Sequence, residues 1–499
     1  MLFKNKYFIG LALLTATGAV GCKKFLEKTP DSTIGSASTP TDISQLLTSA
    51  YAKATYVNFC ESMSDNVDDG KFVSNSDRTN EQSYLFQEVQ GSATMEDCPE
   101  MYWVESYKAI AVANQALKVI SNHPGDSTYN AQKGEALVAR AYAHFMLVCL
   151  FSKFYDPATA ANNPGIPYVT EPEDIVLKKY ERKTVAYVYE MVEKDLLAGI
   201  PLIKDANYSV PGFHFNKIAA NAFAARFYLF KKDYANALKF SNDAIPPAAM
   251  TARVRPWNTI YYLYTPAQLF VAYTNISDPA NLLLCEQHSL FARYVGDYRY
   301  GKTNAKTYSD IDTLKRIAAT TATLPFPSYY YGNDSYFCPK FNEYFVVTST
   351  AANIGDPYIM MPLFSAEEVL FTRAEAQTHL GNSAEALNEL NLYLSKRLRN
   401  YNATTMVVTQ AKINARYGTA QTDKENLLKA VLNTRRLEFV QEGLRYFDMQ
   451  RYNMPVMHVH QPDLKVRAYD TLRIAASDNR RVLQIPQTAV LAGIELNPR

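Results

Sequence analysis

The sequence lacks the spacing motifs of metal and redox sites. Its six cysteines are scattered along 499 residues, and no two of them have the C-x-x-C spacing that zinc and redox sites use. The seven histidines include one close pair, His458 and His460. The two histidines alternate with Val459, and we interpret this pattern as an exposed strand or loop rather than as a pair of metal ligands. The sequence therefore predicts no metal site.

Enzyme motifs are missing as well. The sequence contains no glycine-rich phosphate loop and no G-x-S-x-G nucleophile motif. The acidic stretch SDNVDDG, residues 64–70, could hold Ca²⁺, but it lacks the downstream glutamate of an EF-hand loop, so we interpret it as a solvated turn. An enzyme needs a nucleophile with a base, paired carboxylates or a metal constellation. We therefore predict a protein that is not an enzyme and that needs no cofactor.

The chain has almost no net charge and very little tryptophan. The formal net charge is +2, from 51 basic and 49 acidic residues, which gives no support for nucleic acid or an anionic membrane surface as a partner. Only 2 tryptophans accompany 36 tyrosines and 25 phenylalanines. Tyrosine has an apolar face and a hydroxyl, so it suits both a core and a polar ligand surface.

The first residues predict export and lipid anchoring. Lys4 and Lys6 precede an apolar run, residues 8–20, that is too short for a confident membrane span and is typical of an export signal. It ends in Ala-Val-Gly-Cys, which resembles a bacterial lipobox, so Cys22 is the expected lipidated N-terminus after removal of residues 1–21. The alternative is an ordinary secretory peptide with a chance cysteine. No later segment is long and apolar enough to span a bilayer, so we expect contact with the membrane through the N-terminal lipid only.

Helical periodicity dominates after a polar tether, residues 22–41. Asp42 is a plausible N-cap for the first helix, and further helices are predicted over residues 103–120, 131–155 and 181–203. The third of these four is apolar nearly all round and is therefore expected at the centre of the fold.

An internal repeat predicts paired helical hairpins. Residues 224–238 align without a gap on residues 373–387, and each segment has small alanines on both sides of a tight turn. This pattern resembles the tetratricopeptide unit, in which antiparallel helices approach closely. The alternative is that the two hairpins are unrelated.

Residues 246–365 show no helical period, and we predict an irregular, aromatic-rich ligand region there. Sugars are recognised by aromatic faces that stack on the ring, with polar groups fixing the hydroxyls. The candidate stacking residues are Trp257, Tyr298, Tyr300, Tyr329, Tyr330 and Tyr331. The alternative for each of them is a place in the packed core.

The stretch at residues 435–452, RRLEFVQEGLRYFDMQRY, places arginines and carboxylates among apolar residues. It resembles the C-terminal motif of the SusD/RagB family, surface lipoproteins of Gram-negative bacteria that serve nutrient uptake. The residues that carry this resemblance are Arg435 or Arg436, Glu438, Glu442, Gly443, Arg445, Phe447, Asp448 and Arg451. We interpret the stretch as an ion-paired structural helix with a buried face, and we expect no ligand contact from it.

Further segments resemble the same family in order along the chain. They are CKKFLEKTP after the signal, the set Trp103, Tyr107, Ile110 and Asn114, the set Glu135, Arg140, Ala141 and Tyr142, and the ending IPQTAVLAGIELNP. The predicted organisation is a signal peptide (1–21), a tether (22–41), an N-terminal helical region (42–245), the aromatic-rich ligand region (246–365) and a C-terminal region (366–499).

The resemblance implies a mainly α fold, with a tetratricopeptide-like scaffold and a loop-rich half that carries the ligand. It also implies a lipoprotein on the outer face of the outer membrane, which passes an oligosaccharide or polysaccharide to a SusC/RagA-type TonB-dependent transporter. By position in the family, Asp68, Asp69 and Arg78 are candidate polar ligand contacts. A peptide ligand, or a tetratricopeptide-type protein-interaction scaffold without a small-molecule site, are the alternatives. Pairing of Cys60 with Cys98 stays open.

Overall fold

A computed structural model describes residues 38–74, 78–173, 179–318, 320–321, 328–352 and 354–499. The expected signal peptide, Cys22 and most of the tether lie outside these ranges. The described helices are α1 Pro40–Leu47, α2 Val57–Ser62, α3 Arg78–Tyr84, α4 Pro99–Ser121, α5 Asn130–Phe151, α6 Val185–Gly199, α7 Lys217–Phe230, α8 Tyr234–Ala244, α9 Pro247–Met250, α10 Pro266–Tyr273, α11 Phe291–Tyr294, α12 Asn304–Ala318, α13 Ala366–Leu380, α14 Ser383–Ser395, α15 Gln410–Tyr417, α16 Asp423–Glu438, α17 Leu444–Arg451 and α18 Gln487–Leu491. The described strands are β1 Asp68–Asp69, β2 Asn281–His288, β3 Tyr300–Thr303, β4 Tyr329–Gly332, β5 Ser335–Phe337, β6 Glu343–Ser349, β7 Ile354–Ser365, β8 Val456–His460 and β9 Asp470–Ile474. The fold is mainly α, as predicted.

The N-terminal helices pack around α5. Helices α4 and α6 both lie against it, and nearly every residue of α5 is buried, which confirms its expected central position. The first helix is shorter than predicted, and its N-cap is Thr39, with Asp42 completing a capping box from the first turn. One described helix, Ser127–Phe151, has the length and apolar composition of a membrane span, which corrects the expectation that no segment after the export signal would; it is wholly buried within the protein.

The two predicted hairpins are present and pack on each other. Helices α7 and α8 form the first, α13 and α14 form the second, and α8 lies against α13. The aligned turn residues, Lys232 and Gly381, both have left-handed backbones, with φ of 64° and 85°. Glycine adopts this conformation without strain, whereas lysine does so at a cost. The backbone conformation of the turn is therefore shared although the two residues differ in chemistry.

The described residues of the region from 246 to 365 form more regular structure than the sequence pattern predicts. It contains helices α9–α12 and contributes to two antiparallel sheets, in the orders β2-β7-β6 and β1-β3-β5-β4. Strand β2 is buried along most of its length, so it lacks the alternating pattern of a half-exposed strand. Most of the other strands are short, and the early strand β1 joins its sheet from more than 200 residues away. Such pairings leave little local signal.

The family-like stretch at residues 435–452 forms two helices rather than one. Helix α16 ends at Glu438, and α17 begins after Gly443, whose φ is 73°. A Cβ on Gly443 would lie 3.1 Å from Cβ of Cys60 on α2, so this turn approaches α2 closely. The expected burial and ion pairing are confirmed, since Arg435 contacts Asp448 at 3.1 Å and Arg451 contacts Glu375 at 2.5 Å.

The turn between α16 and α17, residues 439–443, is anchored by two buried side chains. We call it the signature turn. Glu61 of α2 accepts hydrogen bonds from the backbone N–H groups of Gln441 at 2.8 Å and Gly443 at 3.2 Å. Lys340, which follows β5, donates to the carbonyl oxygens of Glu438 and Val440 and to the Glu442 carboxylate. The N-terminal half, the sheet region and the C-terminal helices therefore meet at one turn.

All five described cysteines are buried free thiols. Cys60 and Cys98 do not form the disulfide that the sequence left open. Cys149 lies within α5 as the predicted buried thiol, and burial raises its pKa. Within the described part of the chain, the fold is held by packing and ion pairs rather than by cross-links.

The buried imidazole of His144 in α5 makes stability depend on pH. Its Nε2 accepts the Val169 N–H at 2.9 Å and its Nδ1 donates to the Arg140 carbonyl at 2.9 Å, so the neutral ring satisfies both contacts. Burial lowers the pKa of His144 to about 3, against about 6.5 in an unfolded chain. Below pH 6.5 the unfolded chain gains a proton that the folded protein rejects, so this group costs about 2 kcal/mol of stability at pH 5. We expect His144→Gln to be less stable than wild type at pH 7 and to lose less stability on going to pH 5, as measured by urea denaturation. Equal losses in both proteins would contradict this assignment.

The charge of Lys340 compensates Glu442 inside the protein. The two groups lie 2.5 Å apart, and both side chains are almost fully buried. Lys340→Met leaves a buried carboxylate without its cation, so we expect the free energy of unfolding to fall by about 3–5 kcal/mol. Adding Glu442→Gln to that variant removes the uncompensated charge and should restore part of the loss. Chemical denaturation of the four proteins in this double-mutant cycle measures both effects, and a double variant no better than Lys340→Met would refute the pairing.

Candidate ligand-binding surface

Three of the predicted stacking residues lie inside the protein. Trp257 packs against Tyr261 and Tyr273, with ring centroids 4.9 and 6.3 Å away. Tyr298 is buried, and Tyr300 stacks on the buried ring of Tyr84 at 4.2 Å. The expectation of an exposed aromatic face is therefore wrong for Trp257, Tyr298 and Tyr300. Tyr300 is covered because Tyr84 of α3 lies over its ring, which points away from the plane of the sheet.

The tyrosines of β4 are placed differently. Strand β4 is at the edge of its sheet, and the side chains of Tyr330 and Tyr331 are 64% and 58% exposed. Tyr330 lies directly opposite Tyr336 of β5, with ring centroids 5.5 Å apart. Tyr331 lies edge-on to Phe337 at 6.2 Å. Its ring also covers Gly296, where a Cβ would lie only 2.6 Å from Tyr331 Cγ.

Helix α12 extends this exposed surface. Tyr336 donates from its hydroxyl to Oδ1 of Asn304 at 3.1 Å, which ties β5 to the start of α12. Tyr308, one turn further along α12, is 65% exposed. Desolvation, followed by the nearby groups Tyr308, Asp334 and Tyr330, raises the pKa of Tyr336. We call Tyr308, Tyr330, Tyr331 and Tyr336 the tyrosine ridge.

The other side of the hairpin is fastened to the body of the protein. Tyr329 is half-buried, packs on the Trp257 cluster, and lies with its hydroxyl 3.5 Å from the Tyr264 carbonyl oxygen. Phe337 lies nearly parallel to Phe270 of α10, at a centroid distance of 6.3 Å. Trp257 and Tyr329 therefore support the tyrosine ridge from beneath.

The signature turn fixes the second strand of the hairpin. Oε1 of Gln441 accepts the Cys338 N–H at 2.7 Å, and Nε2 of Gln441 donates to the Tyr336 carbonyl at 3.1 Å. Lys340 adds its own contacts to the same turn. Gln441, within the family-like stretch, thus sets the position of β5 while its own side chain is buried.

Sequence reasoning missed part of the tyrosine ridge and several of the side chains that hold it. Those residues are Tyr308, Tyr336, Phe337, Lys340 and Gln441. One sequence signal was available, because Gly332-Asn333-Asp334 separates two aromatic runs and these residue types favour turns. In the structure all three residues have positive φ. Such a turn between β-prone segments predicts a hairpin, which would have brought Tyr336 beside the Tyr329–Tyr331 run.

Two of the three polar candidates lie on β1, in the same sheet as β4. Asp68 is half-buried on β1, at the opposite edge from β4, with Oδ1 3.7 Å from Nζ of Lys306. Asp69 is buried and holds Arg299 through two 2.8 Å hydrogen bonds. Burial opposes ionisation of Asp69, but the Arg299 bonds outweigh it and lower the pKa of this carboxyl. Arg78 is exposed at the start of α3. The structure does not bring Asp68 or Asp69 to the tyrosine ridge.

The two stretches weighed as metal ligands have structural roles. Ser64 and Asn66 are buried, so the predicted solvated turn is wrong for them, and Asp65 pairs with Arg445 at 2.8 Å. His458 is buried on β8, stacks on Tyr84 at 4.0 Å and contacts backbone carbonyl oxygens through both ring nitrogens, so its expected exposure is also wrong. Across the described ranges, the side chains form no group of three or more metal-ligating residues.

Two family models match long segments of the chain. The SusD-like model, described as starch-binding and associating with the outer membrane, matches residues 24–229, and the SusD family model matches residues 293–490. No curated protein matches the sequence.

Solved structures share the fold at low sequence identity. A SusD superfamily protein from Bacteroides fragilis is 19% identical, with a TM-score of 0.66 over 91% of this chain and 98% of that one. A SusD-like carbohydrate-binding protein from Bacteroides vulgatus is 16% identical, with a TM-score of 0.62 over 91% and 97%. A laminarin-binding SusD-like protein is 18% identical, with a TM-score of 0.59 over 92% and 99%. The family models, the shared architecture and the buried signature turn agree, and the chain belongs to the SusD/RagB family.

Proposed function

We propose that this protein binds an oligosaccharide or polysaccharide at the cell surface and delivers it to a SusC/RagA-type TonB-dependent transporter. The observation that carries the proposal is the pair Tyr330 and Tyr331, two adjacent tyrosines that are each more than half exposed on a hairpin fixed from beneath. The protein acts as a binding protein rather than an enzyme.

The tyrosine ridge has the chemistry that sugar recognition requires. Aromatic rings offer flat apolar faces to the C–H groups of a sugar, and phenol hydroxyls exchange hydrogen bonds with sugar hydroxyls. The Tyr336 contact with Asn304 and the Tyr329 contact with Tyr264 hold the hairpin before a ligand arrives. A surface held in this way loses less conformational entropy when a ligand binds, so the net binding free energy is more favourable.

Relatives support the ligand class. Two proteins of the same fold are described as binding carbohydrate and laminarin, and the N-terminal family model is described as starch-binding and associating with the outer membrane. The expected lipid on Cys22 and docking on a transporter fit that setting.

A peptide ligand is the second candidate because β4 is an edge strand. An edge strand has backbone groups that can pair with an added extended chain. In that mode the backbone of β4 supplies affinity and the tyrosines supply side-chain contacts. A tetratricopeptide-type scaffold without a small-molecule site expects buried tyrosine clusters. Trp257, Tyr298 and Tyr300 meet that expectation, whereas Tyr330 and Tyr331 do not.

Truncation of the ridge tests the binding surface. We expect Tyr330→Ala/Tyr331→Ala to weaken binding by about 10- to 100-fold, because each aromatic contact contributes on the order of 1 kcal/mol. Isothermal titration against neutral polysaccharides, acidic polysaccharides and peptides measures the change. Tyr187→Ala is the matched control, since Tyr187 is an exposed tyrosine on α6 of the helical scaffold.

Unchanged affinity in the double variant would remove the ridge as the binding surface. Binding of peptides alone would favour the peptide ligand. Failure of every ligand, with transporter capture intact, would favour the interaction scaffold.

The lipid anchor is tested at Cys22. We expect Cys22→Ala to move the protein from the membrane fraction to the soluble fraction, because the thiol is the proposed site of acylation. Cell fractionation followed by detection of the protein checks this outcome. Continued membrane attachment of the variant would show that another element holds the protein there.

A further inference from the structure

A basic cavity opens between α12 and α15. Its volume is about 800 Å³, and its lining contains four cationic side chains and one carboxylate. The charged residues of the lining are Lys315, Arg316, Lys412, Arg416 and Asp312. The chain as a whole has a formal net charge of +2, so this is a local concentration of positive charge that the composition does not reveal.

The one carboxylate among the described lining residues is already engaged. Asp312 accepts a 2.6 Å hydrogen bond from Nε of Arg316, four residues further along α12. This pair neutralises one of the four cations. The remaining three cations therefore determine the potential inside the cavity.

Lys412 is a fixed source of positive potential. Its ammonium donates to the carbonyl oxygens of Ala318, Thr405 and Val407, at 3.2, 2.9 and 2.7 Å. These neutral acceptors satisfy its hydrogen bonds but do not cancel its charge. An anion in the cavity would interact with that charge without any need to order the side chain.

Lys315 and Arg416 are the groups available for direct contact. Among the described residues, neither has a carboxylate within salt-bridge distance, and Nε of Arg416 is buried without a hydrogen-bond partner. The Arg416 guanidinium lies 5.5 Å from the ring centroid of Tyr417, which restricts its orientation. A planar guanidinium beside an ammonium suits an oxyanion such as a carboxylate or a sulfate.

Helix α12 links the cavity to the tyrosine ridge, since it contributes residues to both. Tyr308 of the ridge, Asp312 and Lys315 are spaced four and three residues apart, so they follow one side of the helix. At 1.5 Å of rise per residue, Lys315 lies about 10 Å along the axis from Tyr308. A chain-like ligand lying on the ridge at Tyr308 can therefore reach the cavity with a neighbouring unit.

We propose that the Lys315–Arg416 cavity binds the carboxylate or sulfate groups of an acidic polysaccharide whose neighbouring sugars lie on the tyrosine ridge. This inference rests on the proposed function and narrows its ligand class. A neutral glycan can use the ridge alone, whereas an acidic glycan gains the interaction with the cavity as well. Binding of the acidic chain should also weaken at high salt, because part of the cavity is open to solvent.

The test compares two double variants with equal change in net charge. Lys315→Gln/Arg416→Gln removes the two contact cations, and Lys133→Gln/Lys194→Gln removes two exposed lysines of the scaffold helices α5 and α6. Isothermal titration uses polygalacturonate as the carboxylate probe, chondroitin sulfate as the sulfate probe and laminarin as the neutral probe, each at low and high salt. Thermal unfolding confirms that every variant is folded, and Lys315→Gln alone replaces the first variant if Arg416→Gln unfolds.

We expect at least a tenfold loss of affinity for one acidic probe in Lys315→Gln/Arg416→Gln and no loss in the scaffold control. The affinity of laminarin, if it binds, should be the same in all three proteins. Equal affinity of the acidic probes for wild type and Lys315→Gln/Arg416→Gln would overturn the inference, as would binding of laminarin alone. Both results leave the proposed function standing. Failure of all three probes, together with failure of every other glycan, would instead remove the proposed function.

Discussion

The fold depends on how the signature turn is held. Its backbone N–H groups point at Glu61 and its carbonyl oxygens point at Lys340, so an acidic and a basic side chain clamp it from opposite sides. Both clamps are buried, and a buried charge is tolerated only where hydrogen bonds and opposite charges replace the water it has lost. Burial raises the pKa of Glu61, and backbone donors and Asn66 offset part of that effect. The turn therefore has little freedom to shift without leaving a charge uncompensated.

Other buried ion pairs connect the sheet region to the helical scaffold. Arg255 pairs with Glu367, and Arg397 contacts both Glu367 and Glu438. Buried pairs add little net stability compared with well-packed apolar residues, but breaking one is costly. Their effect is to fix orientation, because a forked guanidinium meets a carboxylate in few geometries. The helical hairpins and the sheet region are consequently locked in one relative placement.

Much of the fold could be predicted from local patterns in the sequence. Most of the candidate site could not, because it depends on contacts between residues that are distant in the sequence. The hairpin repeat was recognisable because its turns, at Lys232 and Gly381, lie within a few residues of the helices they join. Tyr300 and Tyr330 could not be told apart in the same way, since both are tyrosines in short strands. Tyr300 is covered by Tyr84, more than 200 residues earlier, whereas Tyr330 lies on an edge strand. Which tyrosine is exposed depends on these contacts between distant segments, and such contacts leave no local signal in the sequence.

The attachment of β5 to the signature turn also affects the order in which parts of the protein can fold. A chain is synthesised from its N-terminus, and Tyr336 is complete about a hundred residues before Gln441, whose side chain holds it. The helices built around α5 and the contacts of the hairpin with Tyr264, Phe270 and Asn304 can form from earlier residues, but the Gln441 contacts with β5 cannot form until the C-terminal region has folded. Full fixing of the tyrosine ridge is therefore a late event. A chain truncated before residue 438 would keep its tyrosines and would lose the Gln441 and Lys340 contacts that attach β5 to the C-terminal helices.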